Sequence, residues 1–311
     1  MKLMKNAFLT GAALLLILSG CSNNDQTEAE ADGGKIKVTS TIGQINDIVK
    51  NVGGEHVDSA GLMKSGVDPH LYKASQGDIK KLEEADLIFY NGLHLEGKMI
   101  EIFEKMEDEK PTIAVTKDIP EADLLKSADG YAEHDPHVWF DIELWIKVTE
   151  TVTEELSNYD KENAGEYIAN GEAFIQKLEE LDQYAEEQIS TIPEQSRVLV
   201  TAHDAFGYFG EAYGIKVMGL QGISTASESG SKDVSELRDF LVDNKVKAVF
   251  VESSVPKKAI EAVIEGAKEK GHEVEIGGEL FSDAMGEEGT EEGTYLGMVR
   301  HNVDTIVNAL K

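Results

Sequence analysis

A single cysteine, six prolines and two tryptophans stand among the 311 residues of this chain. One cysteine excludes an internal disulfide framework and any cluster of several thiolates around a metal. Basic residues are also scarce, 29 against 59 acidic ones, for a formal net charge of −30 at pH 7. Such a field repels nucleic acid and anionic lipid head groups and concentrates cations near the surface. Acidity more often serves solubility, so charge alone does not name a ligand. No apolar run reaches the roughly 20 residues of a membrane-spanning helix. There is no Gly-x-Ser-x-Gly nucleophile motif. The glycine-rich stretch from Gly219 to Gly230 carries no basic residue and no phosphate-cradling pattern.

What is present begins with Lys2 and Lys5, followed by an apolar run from Ala7 to Leu18 interrupted by Thr10 and Gly11. This is the layout of a secretory signal over residues 1–20. Leu18-Ser19-Gly20-Cys21 resembles a bacterial lipobox, which makes Cys21 the expected point of lipid attachment and the first residue of the mature chain. Residues 21–34 hold small and polar side chains and no large apolar one, so they read as a flexible tether.

From Lys35 onward the pattern is α/β. Ile36–Thr41, Val57–Met63, Leu87–Tyr90 and Thr112–Val115 read as strands, with helices at Gln44–Val52 and, behind an N-capping Ser75, through Glu84. Short, nearly continuous apolar strands alternating with helices imply βαβ units and parallel sheets. No strand signal occurs from Ile142 to Ile189, where Tyr167, Phe174, Leu178, Leu181 and Ala185 mark one face of a long helix. Strand patterns return at Arg197–Thr201, Lys216–Leu220, Ala248–Val251 and Val274–Gly277, with helices at Val234–Val242 and Lys257–Glu269. The expected fold is therefore two α/β lobes, each a mostly parallel sheet flanked by helices, residues 35–160 and 193–311. One long rigid backbone helix within residues 161–192 joins them.

Two of the six prolines occur in a duplicated tripeptide, Asp68-Pro69-His70 and Asp135-Pro136-His137. Proline fixes its own φ and pushes its predecessor to an extended conformation, so each histidine is presented by a stiffened loop. Ala202-His203-Asp204 follows the apolar run Val198-Leu199-Val200, and Ser282-Asp283 lies shortly after Val274-Glu275-Ile276. Ligands of open α/β sheets collect outside the carboxyl ends of the strands. His70, His137, His203 and Asp283 are thus the candidate site, with two members from each half and a place in the cleft between them.

These motifs resemble the solute-binding lipoproteins of bacterial ABC importers for manganese and zinc, the TroA-like family. The likeness runs through Gly66-Val67-Asp68-Pro69-His70-Leu71-Tyr72, Asn91-Gly92-Leu93, Asp135-Pro136-His137-Val138-Trp139, Val200-Thr201-Ala202-His203-Asp204-Ala205-Phe206, Val251-Glu252-Ser253-Ser254 and Phe281-Ser282-Asp283-Ala284-Met285-Gly286. Within that family the chain resembles manganese-binding lipoproteins of Bacillus type. The resemblance implies that His70, His137, His203 and Asp283 bind the transported ion, and that the partners are a membrane permease and its ATPase. It further implies a location on the extracytoplasmic face of the cell membrane, anchored through Cys21. A monomer with no nucleic-acid partner is expected.

The identity of the ion turns on opposing signals. Three imidazoles and a carboxylate hold Zn²⁺ more tightly than Mn²⁺ by the Irving–Williams order. Zinc-dedicated relatives often carry a His-rich loop before the second histidine motif, whereas here Glu121 to Asp135 contains only His134. Manganese-dedicated relatives often have Glu where His203 stands. The expected cargo is Mn²⁺, with Zn²⁺ as the alternative.

Glu252, Asp68 and Asp135 are candidates for orienting the ligand imidazoles. Glu252 serves equally well as a capping or packing acid, and Asp68 and Asp135 as local Asx-turns. His134 is expected to be exposed, and Trp139 and Trp145 to anchor the core or the lobe interface. Two other functions compete: a zinc-dependent hydrolase with Glu252 as general base, and a surface adhesin. Four protein ligands argue against the hydrolase, since a catalytic zinc keeps a position for water.

Overall fold

In the first half, β1 (Ile36–Ser40), α1 (Gly43–Gly53), β2 (Val57–Gly61), α2 (Gln76–Glu84), β3 (Leu87–Tyr90), α3 (Ile100–Glu107) and β4 (Thr112–Ala114) alternate strand with helix. A computed structural model of the chain describes residues 34–127, 130, 132–227 and 229–311. The expected signal, Cys21 and nearly all of the tether lie outside the described residues. The four strands form one parallel sheet in the order β2-β1-β3-β4. Ser75 caps α2: its hydroxyl accepts from the Asp78 N–H at 3.3 Å while Asp78 accepts from the Ser75 N–H at 2.9 Å. That reciprocal box satisfies two donors a helix start otherwise leaves open.

Two helices follow, α4 (Ile142–Tyr159) and α5 (Ala164–Ser190). Asp160 turns the chain between them by accepting from the Asn163 side chain at 2.7 Å and from the Tyr167 hydroxyl at 2.8 Å. At about 1.5 Å per residue, the 27 residues of α5 span roughly 40 Å. Its buried stripe is Tyr167, Gly171, Phe174, Leu178, Leu181, Ala185 and Ile189, the spacing of one helix face. That stripe packs on α1 and α4 from the first half and on helices of the second.

The second half runs β5 (Val198–His203), α6 (Gly207–Tyr213), β6 (Lys216–Gln221), α7 (Ser231–Asp243), β7 (Ala248–Glu252), α8 (Lys258–Glu269), β8 (Glu275–Leu280) and α9 (Tyr295–Leu310). β5 pairs with β6 and β7 with β8, both in parallel, and β5 runs beside β7. Successive strand side chains point to opposite faces. Val200, Ala202, Val249 and Val251 accordingly meet Leu237 and Leu241 of α7 and Ile260 and Val263 of α8 in one core cluster. Leu199 and Phe250 face the other way. They join a larger cluster with Phe89 of the first sheet, Trp145 of α4, Phe174 of α5 and Met298 of α9.

That larger core runs without a break through both halves, so a wide rotation between them exposes apolar surface at about 25 cal/mol per Å². No helix among the described residues is long and apolar enough to cross a membrane. The strand pattern at 87–90 coincides with β3, and those at 36–41 and 248–251 match β1 and β7 to within one residue. β8 extends to Leu280, past the expected Gly277, because Gly278 at φ 156° and a register shift at Val249/Phe250 carry the ladder on.

Candidate metal centre

Proline and aspartate build the first two histidine loops in the same way. Asp68 Oδ1 accepts the His70 backbone N–H at 2.9 Å, and Asp135 Oδ1 accepts that of His137 at 2.9 Å. Both aspartates therefore make the local turn expected of an Asx residue, and they then diverge. Asp135 Oδ1 also lies 2.7 Å from His137 Nδ1. Asp68 uses Oδ2 to accept the Thr225 hydroxyl at 2.6 Å, a tie to the second half.

The other two residues come from the carboxyl edge of the second half's strands. His203 is the last residue of β5, Glu252 the last of β7, and Asp283 follows β8 by three. His203, Glu252 and Asp283 are no more than 1% exposed, as is His70, and His137 is fully buried. Ligand atoms of His70, His137, His203 and Asp283 all lie within 4.8 Å of one another. The three imidazole rings form a near-regular triangle with centroids 5.3, 5.5 and 5.0 Å apart.

Hydrogen bonds at the back of two rings decide which nitrogen faces the centre. A carbonyl only accepts, so the 2.9 Å contact between His203 Nε2 and the Ile223 carbonyl places the proton on Nε2 and turns Nδ1 inward. Asp135 holds the Nδ1 proton of His137 and turns Nε2 inward, 3.3 Å from His70 Nε2. Asp283 Oδ1 is 3.3 Å from His137 Nε2, while Oδ2 is 3.9 Å from His70 Nε2 and 3.8 Å from His203 Nδ1. Both carboxylate oxygens thus look onto the same point.

Burial opposes charge on His137, but Asp135 and Asp283 beside it push its pKa up to about 9. The same burial acts on His203, where Asp283 and Glu252 prevail and push it up to about 10. Asp283 is desolvated too, yet His203, His137 and His70 hold its carboxyl well below the usual carboxylate range. Among the described residues, neither Asp283 oxygen, nor His203 Nδ1, nor Glu252 Oε2 has a hydrogen-bond partner of ordinary geometry.

A buried polar atom without a partner costs about 1–3 kcal/mol. Several aimed at one point favour positive charge between them, which the histidine protons supply in the metal-free protein and a bound cation supplies in their place. Tetrahedral bonds of ~2.05 Å put two ligand atoms about 3.3 Å apart, the spacing of the His70 and His137 Nε2 atoms. The donor set of three nitrogens and one or two oxygens is that of a borderline divalent cation such as Zn²⁺ or Mn²⁺. These residues fit a metal ion.

Glu252 reaches His203 through both carboxylate oxygens. Oε1 accepts the His203 backbone N–H at 2.9 Å, and Oε2 lies 3.5 Å from His203 Nδ1. His134 is half-buried rather than exposed, and its backbone bridges to Lys126 in an antiparallel pair. It groups with Glu121 and Glu133, both exposed, away from the four buried residues.

Sequence reasoning missed the support behind the loops. The Asn91 side chain donates to the Pro136 carbonyl at 3.0 Å, and buried Glu96 accepts from the Asn91 N–H at 2.8 Å and the Thr41 hydroxyl at 2.6 Å. Gly92, Leu93 and His94 follow with φ of 86°, 50° and 70°. Asn-Gly immediately after a strand is the visible signal for that turn.

A family model described as ZnuA, the periplasmic component A of a zinc-uptake complex, matches residues 38–309. The manganese-binding lipoprotein MntA of Bacillus subtilis is 52% identical to this chain, over 94% of the chain and 95% of MntA. The solved periplasmic zinc-binding protein TroA of Treponema pallidum superposes with a TM-score of 0.87 at 50% identity, covering 89% of this chain and 99% of TroA. A manganese-bound variant of a periplasmic metal-binding protein from candidatus Liberibacter asiaticus superposes at 0.79 with 26% identity, covering 89% of this chain and all of that one (100%).

Proposed function

This chain belongs to the ZnuA family, and from that premise we propose that it captures a divalent metal ion outside the cytoplasm and delivers it to an ABC importer. The observation that carries the site assignment is the convergence of four buried metal-binding side chains within 4.8 Å, with both Asp283 oxygens unpartnered. His70, His137, His203 and Asp283 hold the ion. Asp135 and the Ile223 carbonyl fix two of the imidazoles, and Glu252 and Asp68 brace the backbone of His203 and His70. The permease and its ATPase are the partners.

Mn²⁺ is the proposed cargo, with Zn²⁺ as the tighter-binding competitor. The likeness to MntA supports manganese, and two oxygens of Asp283 suit an ion that prefers oxygen and a larger shell. Zinc binding is a property of TroA, at nearly the same identity. Thermodynamic preference for zinc is reconciled with manganese transport if availability, and not affinity, decides loading. Membership of an uptake family leaves the hydrolase and adhesin readings without support.

We read residues 35–160 and 193–311 as two lobes, with 161–192 as the connector. Residues 1–20 are a lipoprotein signal, 21–34 a tether lipidated at Cys21, and the mature protein is a monomer on the extracytoplasmic face of the membrane. The test combines metal analysis of protein purified from its own cell envelope with uptake of labelled Mn²⁺ and Zn²⁺ by cells with and without the gene. Uptake of zinc alone would overturn manganese as cargo. Uptake of neither would overturn the transport reading, and mature protein lacking a lipid at Cys21 would overturn the anchor.

A further inference from the structure

Asp283 belongs to the second half by sequence, yet the first half grips the backbone that carries it. The Ser282 carbonyl accepts from the indole Nε1–H of Trp139 at 3.1 Å and from the Gln44 side-chain amide at 3.4 Å. Trp139 and Gln44 are fully buried, one in the 3-10 turn Val138–Phe140 and the other on α1. The Trp139 backbone carbonyl accepts the Tyr295 hydroxyl at 2.7 Å, so one residue holds the Asp283 segment from both ends. From the other side, Asn302 on α9 accepts the Phe281 N–H at 2.9 Å and donates to the Phe281 carbonyl at 2.7 Å.

Against this density of backbone bonds, the groups that approach the Asp283 carboxylate among the described residues are the three site histidines, at 3.3, 3.8 and 3.9 Å. The backbone that carries it is held far more tightly than the carboxylate itself. Trp139 also lies two residues after His137, with their rings edge to face at 5.2 Å. A single turn of chain thus carries one candidate ligand and clamps the backbone of another from the opposite half.

We propose that Trp139 is a positioning residue for Asp283, seconded by Gln44: their two N–H groups on the Ser282 carbonyl keep both carboxylate oxygens on the metal and so set the preference between Mn²⁺ and Zn²⁺. The physical reason is the unequal demand of the two ions. Zinc is satisfied by four ligands in a tetrahedron, whereas manganese gains from every added oxygen. Loosening the Ser282 carbonyl lets the carboxylate swing to one-oxygen contact, which removes an oxygen that Mn²⁺ uses and Zn²⁺ does without.

The inference rests on the metal-binding reading above. Trp139→Phe keeps the ring and removes the N–H; Gln44→Met keeps the shape and removes the amide. Mn²⁺ and Zn²⁺ affinities are measured by competition titration, and the visible absorption of the Co²⁺-loaded protein reports coordination number. Trp139→Phe is expected to lose about 10-fold or more in Mn²⁺ affinity and clearly less for Zn²⁺, with a stronger, more tetrahedral Co²⁺ spectrum. Gln44→Met is expected to move in the same direction by less, since its bond is longer. Should Trp139→Phe fail to fold, Gln44→Met decides alone. Wild-type Mn²⁺/Zn²⁺ ratios and Co²⁺ spectra in the folded variants overturn the positioning role, even if the variants are less heat-stable. Wild-type protein that retains neither ion at one per chain overturns the metal-binding reading instead.

Discussion

Metal loading at neutral pH should expel protons from the centre, and their number follows from its hydrogen bonds. In the metal-free protein the neighbouring carboxylates push His137 and His203 up to about 9 and 10, so both are expected to be cationic at pH 7.5. Each keeps the proton on its rear nitrogen, bound to Asp135 or to the Ile223 carbonyl. The inward proton of each must leave before that nitrogen can bind a metal. Asp283 is already ionised and contributes none. About two protons per ion are therefore released from these residues, and apparent affinity rises about 100-fold per pH unit below pH 9, or ~2.7 kcal/mol per unit. Calorimetric titration with Mn²⁺ at pH 7.5 in buffers of different ionisation enthalpy reads the number directly. Asp135→Asn removes the main charge that raises His137, and its release should fall to about one. Tight binding with no proton release in the wild-type protein would refute the reasoning.

Asp283→Asn keeps the size of the side chain and removes its charge, and should cost more than the 10–100-fold in metal affinity typical of a lost supporting contact; binding of Mn²⁺ within 10-fold of wild type would contradict the site. The raised pKa values of His137 and His203 stabilise the metal-free fold fully below the ordinary imidazole value near 6.5. That stabilisation is lost as pH climbs through about 9 and 10. The Tm of the metal-free protein should accordingly drop relative to the loaded protein between pH 7 and 10, and parallel curves would contradict the linkage. Ser75→Ala should destabilise the protein by about 1 kcal/mol through loss of the α2 cap, measured by urea unfolding, with metal affinity unchanged. Free and loaded crystal structures should differ by a small lobe movement, because the larger core runs through both halves; a large rotation would contradict it.

Local patterns carried much of this architecture. The apolar runs at 87–90 and 248–251 are strands because continuous burial in a parallel sheet suits β-branched and aromatic side chains, and Ser75 caps a helix because its hydroxyl competes for an open N–H. The long stripe from Tyr167 to Ala185 is legible because a helix face repeats every 3.6 residues. The duplicated Asp-Pro-His likewise announces its own turn, since aspartate and the proline-stiffened backbone act within three residues. His134 is less exposed than its polar neighbourhood predicts, since its backbone pairs with Lys126 across an antiparallel bridge that no local pattern encodes.

Four residues of metal-binding type on stiff loops or at strand ends are what the sequence by itself determined. Each depends on short-range sterics and residue chemistry. Only the tertiary structure decided which nitrogen of His203 faces inward, that Asp68 braces Thr225 while Asp135 orients a ring, and that Trp139 and Gln44 grip the carbonyl beside Asp283. The two bonds to the Ser282 carbonyl join residues 143 and 238 positions apart, so their geometry arises from how the two halves pack and not from any stretch of chain read alone.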